Sequence, residues 1–292
     1  MEHIEAGTVT TLQVERIAPF GYFLTDGEED VLLHQSEVDR QLEVGESLSV
    51  FIYQDKQGRL TATSKIPKIQ VGRYGWAEVV NVVENLGVFV DIGINKDILV
   101  SLDDLPLFQS VWPSNGDQLF LSLKTDRNGR LFGRLATENI IQQLTKKAPE
   151  TMKNNNVKGR VYRESKVGTF VLTEDGYRGF VHESERPKEP RLGESIEGRV
   201  IDVKKDGTLN LSLIPRGHEK MDEDSEAILS YMHSRNGAMP YSDKSQPDDI
   251  LERFGMSKAS FKRALGKLMK ANRIEQREGW TYFKEEDRES KQ

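Results

Sequence analysis

The sequence predicts a multidomain, mainly β protein: three small five-stranded β-barrels followed by an α+β domain. The main observation is a segment that occurs three times, an aromatic or apolar residue, a glycine, one residue and a phenylalanine. Its copies are Phe20-Gly21-Tyr22-Phe23, Leu86-Gly87-Val88-Phe89 and Val167-Gly168-Thr169-Phe170. Each copy precedes a β-prone run that ends in a polar residue, then a Gly-acid pair and a turn glycine. We therefore expect repeated domains at residues 1–66, 67–148 and 149–215, and a different domain at 216–292.

The first repeat illustrates why a barrel is expected. Its short β-prone runs cover residues 8–14, 22–24, 31–33, 47–53 and 60–63. Turn signals such as Asp26-Gly27 and Gln57-Gly58 separate these runs. Short strands at this spacing favour a closed or nearly closed barrel over a βαβ unit. The second and third repeats carry the same order of runs, which predicts the same architecture.

The last quarter of the chain has helical spacing instead. Residues 225–234 predict one helix, Pro247 begins a second that Gly255 ends, and Ser257 is the expected N-cap of a third that reaches about Ala271. Two β-prone runs, 274–276 and 280–283, follow across the turn signal Glu278-Gly279. This order predicts three helices that end in a β-hairpin.

Composition limits the possible functions. The chain has 292 residues, no cysteine and a net charge of −6, which excludes disulfides and cysteine metal sites. Residues 1–66 hold 5 Lys and Arg against 12 Asp and Glu, so the excess acid lies there. An anionic total weakens attraction to phosphate, so this charge balance predicts that any binding to nucleic acid is moderate and salt-sensitive. The sequence holds neither an apolar run long enough for a membrane helix nor a basic, apolar signal at its start, and a cytoplasmic location is expected.

The repeats resemble the S-one domain, an OB-fold RNA-binding module, and the first and third match it best through Phe20-Gly21-Tyr22-Phe23, His34, Phe170 and His182. The resemblance implies that strand-2 aromatics and a strand-3 histidine stack on bases from the outer face of the barrel. Phe20 and Phe23 can share that face only if the chain bends, and Gly21 is the expected site of the bulge. The second repeat has Leu86 and Ser101 in place of the leading aromatic and the histidine, so we expect it to be the weakest. The expected RNA-binding residues are Phe20, Phe23, His34, Phe89, Phe170, Tyr177 and His182.

The C-terminal domain resembles a winged helix whose last helix is basic and contains no acid. Phosphate contacts are expected from Lys258, Lys262, Arg263, Lys267, Lys270 and Arg277. Only Arg263 suits bidentate contact with guanine, so base reading in duplex DNA has little support.

Three S-one-like barrels followed by a winged helix resemble the conserved virulence factor B family of bacteria. The resemblance implies a cytoplasmic RNA-binding protein that regulates gene expression after transcription, and the stacking aromatics favour single-stranded RNA as its ligand. A DNA-binding regulator acting through the winged helix and a protein-interaction scaffold are the alternatives. The histidines lack metal-ligand spacing, and no phosphate-cradling loop or nucleophile elbow occurs. We therefore expect no catalysis, cofactor, metal, small-molecule substrate or membrane partner.

Two linkers complete the expected organisation, and the second, residues 215–224, joins barrel three to the winged helix. Residues 137–147 predict a helix capped by Thr137, followed by a polar stretch that should separate the first two barrels from the rest. On charge, we expect barrel three and the winged helix to form one binding half.

Overall fold

The computed structural model describes residues 4–284, without the side chains of residues 217–220. The chain divides into two compact units at Leu213 and Ile214. Within residues 4–284, no helix has both the length and the apolar character needed to cross a bilayer.

The first unit contains three closed five-stranded barrels, as the sequence predicts. Barrel one consists of β1 (Val9–Ala18), β2 (Gly21–Thr25), β3 (Asp30–His34), β4 (Ser47–Gln54) and β5 (Leu60–Thr63). Barrel two consists of β6 (Gly75–Val83), β7 (Gly87–Asp91), β8 (Ile98–Ser101), β9 (Gln118–Thr125) and β10 (Leu131–Leu135). Barrel three consists of β11 (Asn156–Ser165), β12 (Gly168–Thr173), β13 (Arg178–His182), β14 (Ser195–Val203) and β15 (Leu209–Ser212).

All three barrels have the same topology, that of the OB fold. The first three strands form an antiparallel meander, the third pairs in parallel with the fifth, and the fourth pairs with both the first and the fifth. Alternate residues of each strand fill the interior, as Leu12, Val14 and Leu24 do in barrel one. The side chains between them face outward and form the outer surface of each barrel.

The repeated glycine is required by close approach of two strands. Gly21, Gly87 and Gly168 pair with His34, Ser101 and His182, respectively. A Cβ on Gly21 would lie 2.3 Å from the carbonyl oxygen of Leu33, and the other two glycines are equally crowded by backbone. The glycine therefore brings the end of strand two against the polar residue that ends strand three.

The bulge is not at Gly21, so that expectation is wrong. It lies in the first strand of each barrel, where the pairing shifts between Val14 and Arg16 in barrel one. The same shift occurs between Val79 and Asn81, and between Val161 and Arg163. The extra residue places Arg16 opposite Phe23 and Arg163 opposite Phe170. Phe20 lies in the turn before strand two, which removes the need for a bend between the two phenylalanines.

The predicted linker helix exists as α1 (Glu138–Leu144), although Thr137 makes no side-chain cap bond. It does not separate barrel three from barrels one and two. Arg191 of barrel three makes two hydrogen bonds to the buried Asp117 of barrel two, of 3.0 and 3.1 Å. Leu192 packs into the core cluster of barrel two, which also includes Phe51 of barrel one. Barrel three thus belongs to the same compact unit as barrels one and two.

The second unit is the winged helix. It contains α2 (Gly217–His233), β16 (Ala238–Met239), α3 (Pro247–Phe254), α4 (Lys258–Lys270), β17 (Ile274–Arg277) and β18 (Trp280–Phe283). Pro247 begins α3, and Gly255 ends it with a φ of 66°. The Ser257 hydroxyl caps α4 by accepting a hydrogen bond from the Ser260 N–H. Helix α2 begins earlier than predicted, and the short β16 adds a third strand to the hairpin.

Candidate nucleic-acid interface

Barrel one displays an aromatic group on its outer surface. Phe20 is 47% exposed, and its ring meets the half-buried ring of Phe23 edge to face, with centroids 6.2 Å apart. The guanidinium carbon of Arg16 lies 3.4 Å from the centroid of Phe23. Together with the exposed His34 at the end of β3, these residues form a surface that we call platform one.

The histidine of platform one is held in a defined orientation. The Ser36 backbone N–H donates to Nδ1 of His34, which also lies 2.8 Å from the Ser36 hydroxyl oxygen. Because Nδ1 accepts a backbone hydrogen bond, the neutral ring carries its proton on Nε2. His182 makes the same bonds to Ser184, with the same distances. Each histidine thus retains one N–H donor for a ligand.

Barrel three carries the equivalent arrangement, which we call platform three: Arg163, Phe170, Phe180 and His182. The guanidinium carbon of Arg163 lies 3.8 Å from the centroid of Phe170, and Phe180 packs 5.0 Å from Phe170. Phe180 also contacts the ring of His182 and lies 5.3 Å from the ammonium nitrogen of Lys204. This platform thus carries two cations beside two half-buried phenylalanine rings.

Barrel two lacks most of these features. Leu86 replaces the leading aromatic and is 43% exposed. The residue opposite Phe89 is Asn81 rather than an arginine. Ser101, in the position of the histidine, caps the following 3₁₀ turn by accepting from the Asp103 N–H. Phe89 is half-buried, so barrel two has one of the ring positions without the cation or the imidazole.

In the third repeat Val167 stands in the place of the leading aromatic, and the sequence offers Tyr177 as a replacement, but Tyr177 does not lie where it could take over that role. It lies in the turn between β12 and β13, beside Arg178, whereas His182 ends β13 at the other end of the hairpin. Its side chain packs against the core of barrel three.

A second group of aromatics connects platform three with barrel two. Trp76 and Phe120 of barrel two contact each other at 5.1 Å, and the guanidinium carbon of Arg160 lies 5.7 Å from the Trp76 ring. Both rings pack around the buried Ile141 of α1, in a cluster that extends to Phe170. Aromatic residues of barrel two therefore contribute to the packing that holds Phe170 of platform three in place.

Helix α1 also fixes the cation of platform three. Glu138 accepts a hydrogen bond from the Tyr162 hydroxyl at 3.0 Å and pairs with Arg163 at 3.1 Å. Burial, together with this carboxylate, raises the pKa of Tyr162 well above its ordinary value of 10.0. The tyrosine therefore stays a neutral donor to Glu138, which orients Arg163 over Phe170.

The expected phosphate-contacting residues of the winged helix fall into two groups. Lys262, Arg263 and Lys270 are exposed on α4, while Lys258 is half-buried in its first turn. Lys267 instead forms an ion pair with Asp222 of α2, and Arg277 pairs with Glu275 on the hairpin. Helix α4 itself contains no acidic residue, but a carboxylate of α2 neutralises one of its lysines. The free positive charge of α4 is therefore smaller than its sequence alone indicates.

Sequence reasoning missed Arg16, Arg163 and Phe180. The two arginines stand seven residues before Phe23 and Phe170, a spacing visible in the sequence that could have indicated them. Within residues 4–284, no cluster of three or more His, Asp or Glu side chains could hold a metal ion.

Family models match four stretches of the chain. They are an S1 (S-one) domain at residues 6–65, the first S1-like domain of CvfB at 74–134, the second domain of virulence regulatory factor CvfB at 141–215, and a CvfB-like winged helix domain at 226–283. S1 and winged-helix domains are nucleic-acid-binding classes rather than enzyme classes.

Similar whole proteins are also known. The uncharacterized protein YitL of Bacillus subtilis is 53% identical over 97% of this chain and 95% of its own. Conserved virulence factor B of Staphylococcus aureus is 41% identical, over 90% of this chain and 89% of its own. A crystal structure of a multidomain protein with nucleic acid binding domains from Streptococcus pneumoniae aligns with a TM-score of 0.67 and 39% identity, covering 96% of this chain and 98% of that one.

Proposed function

This chain belongs to the family of the virulence regulatory factor CvfB, and we propose that it binds single-stranded RNA through platforms one and three and regulates gene expression after transcription in the cytoplasm. The observation that carries the proposal is the repeated arrangement of arginine, phenylalanine and histidine on barrels one and three. No catalytic step is part of this function.

The chemistry of each platform suits unpaired bases. Every base has a flat π face, and stacking on an aromatic side chain contributes roughly 1–3 kcal/mol per base. The guanidinium over Phe23 or Phe170 covers one ring face, but its own planar outer face can stack a base while its charge attracts phosphate. The histidine Nε2–H adds a hydrogen-bond donor at the edge of the platform. Duplex bases are already stacked on one another and cannot use such a surface.

The distribution of charge along the chain affects the expected affinity for RNA. The acidic excess of residues 1–66 weakens long-range attraction to phosphate around platform one. Affinity should therefore depend on stacking at platform one and on both stacking and charge at platform three. RNA binding should be moderate in strength and should weaken as salt rises.

The direct test is a fluorescence anisotropy titration of a labelled oligouridine, a duplex RNA and a duplex DNA over a salt series. We expect the wild-type protein to prefer the oligouridine. Combined Phe23→Ala and Phe170→Ala should lower that affinity by at least about ten-fold. Phe89→Ala is the matched control, because Phe89 has the same strand position without arginine or histidine, and it should cost much less. Equal affinity of the double variant and the wild type would exclude stacking on the platforms.

A DNA-binding regulator is the second candidate, favoured by the exposed Lys262, Arg263 and Lys270 on α4. That function predicts tighter binding to duplex DNA than to oligouridine. It also predicts that Lys262→Glu with Lys270→Glu abolishes binding while the phenylalanine variants retain it.

A further inference from the structure

The inner face of the hairpin in the winged helix is held against the rest of the domain. Phe283 and Ile274 pack into the core of the domain. The buried Thr281 hydroxyl donates a hydrogen bond of 2.7 Å to the carbonyl oxygen of Tyr241. Because side chains alternate along a strand, Trp280 and Tyr282 lie on the opposite, outer face.

That outer face carries a stacked aromatic pair. The rings of Trp280 and Tyr282 are 6.4 Å apart with planes 23° from parallel, and Trp280 is 43% exposed. Such parallel rings present one flat apolar surface to solvent. Trp280 therefore offers a large π surface with little further rotamer entropy to lose on binding.

The turn and its charges complete the surface. Glu278 and Gly279 both have positive φ, 51° and 83°, which defines a tight two-residue hairpin turn and fixes Trp280 immediately after it. Arg277 is opposite Trp280 in the strand register and is highly exposed, with one ion pair to Glu275. A guanidinium beside an exposed indole suits a ligand that has both a flat ring and a phosphate.

We propose that the outer face of this hairpin, Trp280 on Tyr282 with Arg277 beside them, is a stacking site for an unpaired nucleobase of single-stranded nucleic acid. The inference rests on the proposed nucleic-acid function and adds a site on the second unit of the chain. The flat exposed rings select against duplex, whose bases are covered by their neighbours, and the adjacent cation favours a nucleic acid over an uncharged apolar partner.

The experiment titrates the full-length protein with the labelled oligouridine and with duplex RNA and duplex DNA. Trp280→Ala should weaken oligouridine binding roughly 5- to 150-fold, the range expected for one stacked base, while Trp280→Phe should retain most of the affinity. Duplex binding should not change. Leu251→Ala is the matched control, since Leu251 is an exposed apolar residue of the same domain, at 58%, and should have no effect.

A crosslinking measurement reports the contact directly. A 5-iodouridine oligonucleotide irradiated in the wild-type complex should attach to Trp280, identified by mass spectrometry of the crosslinked peptide.

Three outcomes separate the two proposals. If Trp280→Ala binds oligouridine as the wild type does, while the Phe23 and Phe170 double variant is impaired, the hairpin site is refuted and the barrel function stands. If the wild-type protein has no affinity for oligouridine, the RNA function itself fails. If Trp280→Ala weakens binding to the duplexes and not to the oligouridine, the surface has a different occupant and the inference is wrong.

Discussion

A cluster of three polar residues distinguishes barrel three from the other two barrels. Glu164, Thr169 and Arg186 occupy places that Ile17, Tyr22 and Val38 hold in barrel one, and Val82, Val88 and Leu105 in barrel two. Glu164 pairs with Arg186 at 2.9 Å and accepts a hydrogen bond from Thr169, but its Oε1 is buried with no hydrogen-bond partner among the described residues. Burial raises the pKa of Glu164 to about 7.

This raised pKa predicts a pH-dependent stability. The folded barrel holds the proton of Glu164 more tightly than the unfolded chain, where the pKa is near its ordinary 4.5. The stabilisation is complete below about pH 4.5 and is lost as pH rises through about 7, on the order of 3 kcal/mol. Urea unfolding should show a free energy of unfolding that falls between about pH 5 and about pH 8. Glu164→Gln should flatten this dependence, and Glu174→Gln, at an exposed turn of the same barrel, should leave it intact; an unchanged slope in Glu164→Gln would contradict the assignment.

The second strand of each barrel depends on the glycine with which it begins. At that point the strand lies in close contact with a backbone carbonyl oxygen of the third strand. Gly21 and Gly168 lie opposite the histidines of platforms one and three. The same contact that requires glycine therefore positions the histidine of the platform.

Gly21→Ala should destabilise barrel one by more than about 2 kcal/mol, since the new Cβ meets backbone that cannot move aside. Gly58→Ala is the matched control in the same barrel. Gly58 has a φ of 81°, but a Cβ there would meet no atom of residues 4–284 within 4 Å, so strain alone should cost about 1–2 kcal/mol. Amide hydrogen exchange of residues 21–34 measures the difference. Similar protection in the two variants would mean that the close approach does not control this strand.

At the scale of the whole molecule, the three barrels are held together by specific junctions. Barrel two meets barrel three through Arg191 and Asp117, and backbone hydrogen bonds join Gln118 to Gly193 and Leu192 to Val111. Barrel one meets barrel two through Gln54. Its side-chain amide donates a hydrogen bond to the backbone carbonyl oxygen of Asn128, and its backbone carbonyl oxygen accepts one from the ammonium group of Lys96. The platforms are therefore carried by one framework of packed barrels.

Arg191→Ala should loosen the junction between barrels two and three, because the buried Asp117 loses its charged partner. The amides of Gln118 and Leu192, which bond across the junction, should exchange roughly 5- to 150-fold faster, the effect of about 1–3 kcal/mol. Arg130→Ala removes an exposed ion pair to Asp126 within barrel two and should change neither amide. If exchange at Gln118 and Leu192 is the same in Arg191→Ala and wild type, the junction depends on the apolar contacts of Leu192 instead.

Local pattern was sufficient for the architecture. The repeated glycine segment, the turn signals and the change to helical spacing predicted three barrels and a winged helix, together with α3, the Ser257 cap and the final hairpin. These features depend on residues near one another in the chain, so hydrophobic period and turn chemistry reveal them.

Contacts between distant segments could not be obtained that way. Strand register put the bulge in the first strand, brought Arg16 and Arg163 over the phenylalanines, and placed Tyr177 at the far end of its hairpin. Packing joined barrel three to barrel two and gave Lys267 a carboxylate partner from another helix. Such pairings follow from which strands and helices become neighbours in space, and many different arrangements satisfy the same local periodicity.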